Sequence, residues 1–321
     1  MKLALFSELG SDRMAPGLLT DAGIIDISSV VPPARSPQHI MEGLIDSFDE
    51  LRLALDNLAA RGQARPLDEV RLRPPLPRPS KVMCCIANYW EHAQREARPL
   101  NMFLKNPDAV VGPGDTIRLP NYTVPWMFMH EAELAIVLKG PVRNVAQQDW
   151  RSAVFGYTGM MDITGRGEGR STWGRGTWLG KSFDTFLPIG PCIVTTDQIP
   201  EPNDLWVQFW NDGQLRHNYN TDDMEHRVPE LIEFASRTLT LRSGDLICCG
   251  TNHEGLGPVQ DGETVEMLIH GIGRMALKVE DPLARTWERG IYMGQDSVNH
   301  EAVRRHRPHD AHLLHETTAE G

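Results

Sequence analysis

The chain has 321 residues, 40% of them hydrophobic and 23% charged, a composition that supports one large core with a smaller satellite and gives no reason to expect disorder. Its 32 Lys and Arg stand against 43 Asp and Glu, a formal charge of −11, so a nucleic acid would meet net repulsion, and the most basic stretch, RRHRPH at Arg304–His309, is too short to reverse it. No apolar run approaches the ~20 residues that cross a bilayer; the densest, LAIVL at 134–138, is flanked by Glu133 and Lys139.

The opening MKLALFSELGSD has too short an apolar run for a secretory signal, so a cytoplasmic location is expected. KLALFSE and GIIDIS read as strands. Apolar residues at Ile40, Leu44, Ile45, Phe48, Leu51, Leu55 and Leu58 then follow a helical period and predict one helix from about Ile40 to Leu58. The run RPPLPRPSK at Arg73–Lys81 cannot continue it, because each proline fixes φ and removes a donor. A boundary there gives a small N-terminal domain (1–75), a larger domain (76–282) and a polar tail (283–321).

Past the boundary come short strands between turns: KVMCCIA, DTIRLP, ELAIVLKG, PCIVTTD, DLWVQFWNDG, GDLICCGT, ETVEMLIHGIG and RMALKVED. A helix is expected over Val228–Arg237, and another after Asn88, where residues 90–97 contain no Pro or Gly. Strands joined by turns, without regular helical crossovers, predict a β-rich α+β fold with a folded roll or sandwich. The cysteines, Cys84, Cys85, Cys192, Cys248 and Cys249, lie in apolar stretches without a C-x-x-C spacing and read as reduced core residues.

Two segments carry candidate chemistry. In HEAELAIVL (130–138), Glu131 and Glu133 open an apolar strand, and strand alternation turns both toward one face. Such a pair is either a solvated edge or, if buried, a site for something positive. In GYTGMMDITGRG (156–167), Asp162 follows two Met residues in what reads as a glycine-punctuated turn, where an acid more often caps than ligates. Together the three carboxylates form a set that a hard divalent ion accepts.

With GKSFDTFLPIGP (180–191), IANYWEH (86–92), FLKNPDAVVGPGDTIRLP (103–120), NDGQLRHNYNTDDM (211–224) and SGDLICCGTNHEGLG (243–257), the chain resembles the fumarylacetoacetate hydrolase family over nearly all of residues 80–280. The resemblance implies a mixed β-roll catalytic domain behind a small N-terminal domain, assembled as a homodimer. It implies Mg²⁺ or Mn²⁺ held by Glu131, Glu133 and Asp162, with Ca²⁺ an alternative occupant in a crystal. Lys181 and Arg166 would face a substrate carboxylate or oxyanion, with Tyr89, Lys105 and Thr251 nearby.

Relatives also place a His and a Glu three residues apart after an Asn-Tyr pair, a catalytic acid–base pair in which the His would deprotonate the water that attacks the substrate carbonyl. Here His92 matches, but the third residue on is Arg95 and the acid is Glu96, which still shares a helix face with His92 if a helix forms; without the resemblance, a solvated helix is the plainer reading. GTNHEGLG departs from a common G-T-P-x-G-V-G, adding Asn252, His253 and Glu254 beside Thr251, so His253 is either a substrate contact or a loop residue; His217, where Gln is common, is equally ambiguous. The implied activity is hydrolysis of a carbon–carbon bond in a 2,4-dioxo acid such as an acylpyruvate. The alternatives are decarboxylation or tautomerisation of an oxaloacetate-type 2-oxo acid, or a non-catalytic binding protein on the same fold.

Overall fold

The computed structural model describes residues 1–93, 95–121, 126–167, 178–287 and 289. Among the described residues the strands form an eleven-stranded mixed sheet, a five-stranded sheet and a two-stranded ribbon. The large sheet runs in the order Gly23–Asp26, Ala15–Thr20, Lys2–Glu8, Leu187–Thr195, Val154–Met161, Ala132–Leu138, Leu246–Cys248, Val82–Cys85, Met102–Leu104, with Val70–Arg73 also paired to Lys2–Glu8 and Val110–Val111 to Leu187–Thr195. The five-stranded sheet runs Gln214–Asn220, Trp206–Asn211, Thr264–Ile269, Gly273–Glu280, Thr116–Arg118.

Alternation along Ala132–Leu138 shows how the layers stack. Leu134, Ile136 and Leu138 join an apolar cluster with Phe209, Val265 and Met267 of the five-stranded sheet. Ala135 and Val137 join another with Met41, Leu44, Ile45, Phe48 and Leu55 of the helices Pro37–Asp46 and Phe48–Arg61. The strand is buried throughout, which is why its sequence is almost continuously apolar. The N-terminal segment is tied into the same sheet, with Leu3 opposite Ile193 and Lys2 opposite Val194.

The expected helix Val228–Arg237 is present as Val228–Thr238, with Glu230 accepting from the Arg227 backbone at 2.8 Å. Three expectations are corrected. The single helix from Ile40 to Leu58 is two helices meeting at Ser47 (φ −100°, ψ 12°), a residue type that competes with helix geometry through its own hydrogen bonding. The glycine-punctuated turn before Asp162 is instead the tail of a long buried strand, Val154–Met161. Its glycines serve close packing: a Cβ on Gly156 would lie 2.2 Å from the Val194 carbonyl oxygen. The helix after Asn88 is absent among the described residues, because Glu91 and His92 both take positive φ (53° and 59°), which breaks a right-handed helix.

Candidate active site

Three carboxylates converge where the central strands of the large sheet end. Glu131 precedes Ala132–Leu138 and Glu133 lies one alternation further, on the same face. Asp162 follows the neighbouring antiparallel strand, where its backbone N–H donates to the Glu131 carbonyl at 2.8 Å. The three side chains are buried and each offers an oxygen, all within 4.8 Å of one another. Thus the pair read as either a solvated edge or a buried site is buried, and the acid read as a turn former stands beside it.

Around this charge the fold places two buried ammonium groups. Lys181, at the end of the short helix Trp178–Lys181, donates to Glu131 Oε2 at 2.7 Å and Asp162 Oδ2 at 2.6 Å. Lys105 pairs with the other Asp162 oxygen and donates to the Ile163 carbonyl at 3.3 Å. Thr164 donates to Glu131 Oε1 at 3.1 Å, and the Gly250 N–H donates to Glu133 Oε2 at 2.8 Å.

Glu133 is the exposed flank of this balance in charge, though not in solvent. Its Oε1 is buried with no hydrogen-bond partner among the described residues, a costly state for a carboxylate. Burial first, then the negative charges of Asp162 and Glu131, push its carboxyl well above the ordinary range. For Lys181 burial opposes the charged form, but Asp162 and Glu131 outweigh it and hold the ammonium well above its usual value. An oxygen-only donor set with one unsatisfied buried oxygen fits a hard divalent cation.

Beside the triad, Thr251 and Asn252 are buried, and Asn252 Nδ2 donates to Asp223 Oδ2 at 3.2 Å. Tyr89 is fully buried, its ring edge-on to Tyr219 at 5.0 Å between centroids. Arg166 lies in the strand Thr164–Gly167, and its side chain falls outside the described residues. His217 is buried against His130, Nε2 to Nδ1 at 3.0 Å; burial, then nearby Arg216, depresses it to about 3, so it stays neutral in the working pH range.

The expected pairing of His92 with Glu96 has no helix to support it. The His92 side chain is 55% exposed, with Nε2 3.6 Å from Glu254 Oε1, and Glu96 is exposed. Arg95, at the position where relatives carry an acid, pairs instead with Glu225, which also accepts from the Arg98 backbone at 2.7 Å. His253 has a partner that the sequence reading missed. Glu91 Oε1 accepts from its backbone N–H at 2.9 Å and stands 2.6 Å from its Nδ1. Burial pushes the Glu91 carboxyl up, but the hydrogen bond and charge of His253 outweigh it and leave it below the ordinary value.

The family profile described as fumarylacetoacetate (FAA) hydrolase C-terminal matches residues 81–280, and the chain belongs to the fumarylacetoacetate hydrolase family. Among its solved structural neighbours is maleylpyruvate hydrolase from Sphingobium sp. SYK-6 in complex with manganese(II) and pyruvate, at a TM-score of 0.77 and 34% identity, covering 88% of this chain and 99% of that one. Similar sequences include a maleylpyruvate hydrolase of Aquipseudomonas alcaligenes, 31% identical over 299 residues (87% of this chain, 99% of that protein). A mitochondrial oxaloacetate tautomerase of Xenopus laevis is 33% identical over 259 residues (78% and 79%). The relatives thus include both hydrolases and tautomerases. No helix among the described residues is long and apolar enough to cross a membrane.

Proposed function

We propose that this chain is a divalent-metal-dependent hydrolase that cleaves the carbon–carbon bond of an acylpyruvate, a 2,4-dioxo acid of the maleylpyruvate type. The observation that carries the reading is the buried triad of Glu131, Glu133 and Asp162 with one unsatisfied oxygen, in a chain similar to a hydrolase whose structure holds manganese and pyruvate. Glu131, Glu133 and Asp162 would hold Mg²⁺ or Mn²⁺. When bound, the cation supplies a Lewis-acidic anchor for a 2-oxo carboxylate and a sink for the electrons left on carbon when the bond breaks.

The chain's own groups do the rest. Lys181, oriented by its two ion pairs, would face the negative charge that develops on substrate oxygen, and the burial around it strengthens that attraction. Lys105 fixes Asp162 in place. Arg166, Tyr89, Thr251 and Asn252 would line the substrate, and the 251–254 segment, held near Glu133 through Gly250, is suited to carry a proton-transfer group.

The second reading, enol–keto interconversion or decarboxylation of oxaloacetate, is favoured by the 33% identity to a tautomerase, since the same electron sink serves both. With Mn²⁺ or Mg²⁺ present, 2,4-dioxo acids should yield pyruvate and a carboxylic acid, both followed by chromatography, and the reaction should stop on chelation. Interconversion or decarboxylation of oxaloacetate without any dioxo acid cleavage would replace the first reading by the second. Turnover that survives exhaustive chelation would remove the metal from both, and metal binding without turnover would leave a binding protein. The proposal includes a homodimer as the active unit; sedimentation at assay concentrations should give twice the 36.0 kDa chain mass, and a monomer would contradict it.

A further inference from the structure

The segment after Asn88 and the loop after Gly250 face one another, and what joins them is a carboxylate–imidazole pair. Glu91 Oε1 takes the backbone N–H of His253 at 2.9 Å and lies 2.6 Å from Nδ1. Both side chains are largely shielded, at 18% and 13% exposure. A carboxylate at Nδ1, 2.6 Å away, fixes the proton on that nitrogen and leaves the lone pair on Nε2.

The loop itself is anchored at the triad. Gly250, three positions before His253, donates to Glu133 at 2.8 Å. The turn that presents Glu91 is held by Asp223, which accepts from the Glu91 N–H at 3.1 Å and from Asn252. His92, next along the chain, points to Glu254 and is 55% exposed, a poor setting for a group that must hold one tautomer.

We infer that His253 is the proton carrier of this site and that Glu91 is its positioning residue, a pair assembled from two segments 162 positions apart in the sequence. The inference rests on the reaction proposed above. In that reaction Nε2 takes a proton from water as the water oxygen bonds to the C4 carbonyl carbon of the dioxo acid. The C3–C4 bond then breaks with its electron pair passing to C3 as the enolate of pyruvate, and the proton held on Nε2 is returned to C3. One water is consumed, a carboxylic acid and pyruvate are formed, and no oxidant or reductant is needed.

The test compares wild type, His253→Ala, Glu91→Gln and His92→Ala on one dioxo acid at saturating Mn²⁺. Loss of the carrier should lower kcat roughly a hundredfold or more, the usual scale for a general base. Glu91→Gln should lose roughly tenfold in kcat with KM little changed, since it leaves the substrate contacts in place and removes only the group that orients the imidazole. His92→Ala should lose less than either.

A second measurement needs no turnover: ¹⁵N spectra of the metal-free wild type should find His253 protonated at Nδ1. Wild-type kcat in His253→Ala, a larger loss in His92→Ala, or an Nε2-protonated tautomer would each overturn the inference. If the wild type hydrolyses no dioxo acid, the proposed reaction falls separately. The pair is then judged on oxaloacetate enol–keto interconversion, where His253→Ala must show the same loss.

Discussion

Replacing Glu131, Glu133 or Asp162 by Ala should abolish divalent-metal binding and turnover while the protein still folds. The three oxygens lie within 4.8 Å of one another, and two carboxylates with Lys181 and Lys105 already beside them offer an ion too little negative charge to compete for. Glu133→Gln gives the sharpest version. Its carboxyl is pushed up by burial and by Asp162 and Glu131, so in the metal-free protein this residue's contribution to stability is full below the ordinary carboxylate range and is lost as pH rises through the raised folded value. Metal-free Glu133→Gln should therefore melt at or above the wild-type temperature at neutral pH, yet gain nothing from added Mn²⁺. Calorimetric titration and thermal melts with and without Mn²⁺ check both halves, and a variant that still binds Mn²⁺ like wild type would take Glu133 out of the ligand set.

Lys105→Met should destabilise the metal-free protein by about 3–5 kcal/mol, the scale for removing one partner of a buried pair. Both side chains of the Lys105–Asp162 pair are out of solvent, so Asp162 would keep its charge with only Lys181 to offset it. Added Mn²⁺ should recover more stability in this variant than in wild type, because the cation would supply part of the missing positive charge. Denaturant melts at matched pH make the comparison; an unchanged midpoint without metal would mean that the Lys105–Asp162 pair adds nothing to stability.

How much of this could be read from the sequence depends on how far apart the interacting residues lie. Glu131 and Glu133 were legible because alternation in a strand is local, and the helix Val228–Thr238 was legible from its period and its proline near the start. Asp162 was found by residue type but set in the wrong element. Gly156 and Gly159 look like turn punctuation, and only the neighbouring strand, with Val194 against Gly156, and the facing sheet, with Met267 against Gly159, reveal that they are there for lack of room. The cations were visible in part: Lys181 and Lys105 both stand in recognisable motifs, but nothing local pairs Lys105 with an acid 57 positions away. Glu91 was invisible for the same reason, compounded by the two left-handed residues that replace the expected helix.

The pairing of Lys2–Glu8 with Leu187–Thr195 has a consequence for the chain during its synthesis. The partner of Leu3 is Ile193, so the Lys2–Leu3 end of the first strand must wait for ~190 further residues to be made, ~10–40 s at ordinary elongation rates. Meanwhile the strand can pair with Ala15–Thr20 on one edge and, through Leu5–Glu8, with Val70–Arg73 on the other, leaving only its Lys2–Leu3 end open to foreign strands. Newly made protein should thus be most prone to aggregate before Val70–Arg73 has docked, and slower translation between residues 20 and 73 should lower the soluble yield unless a chaperone covers that edge.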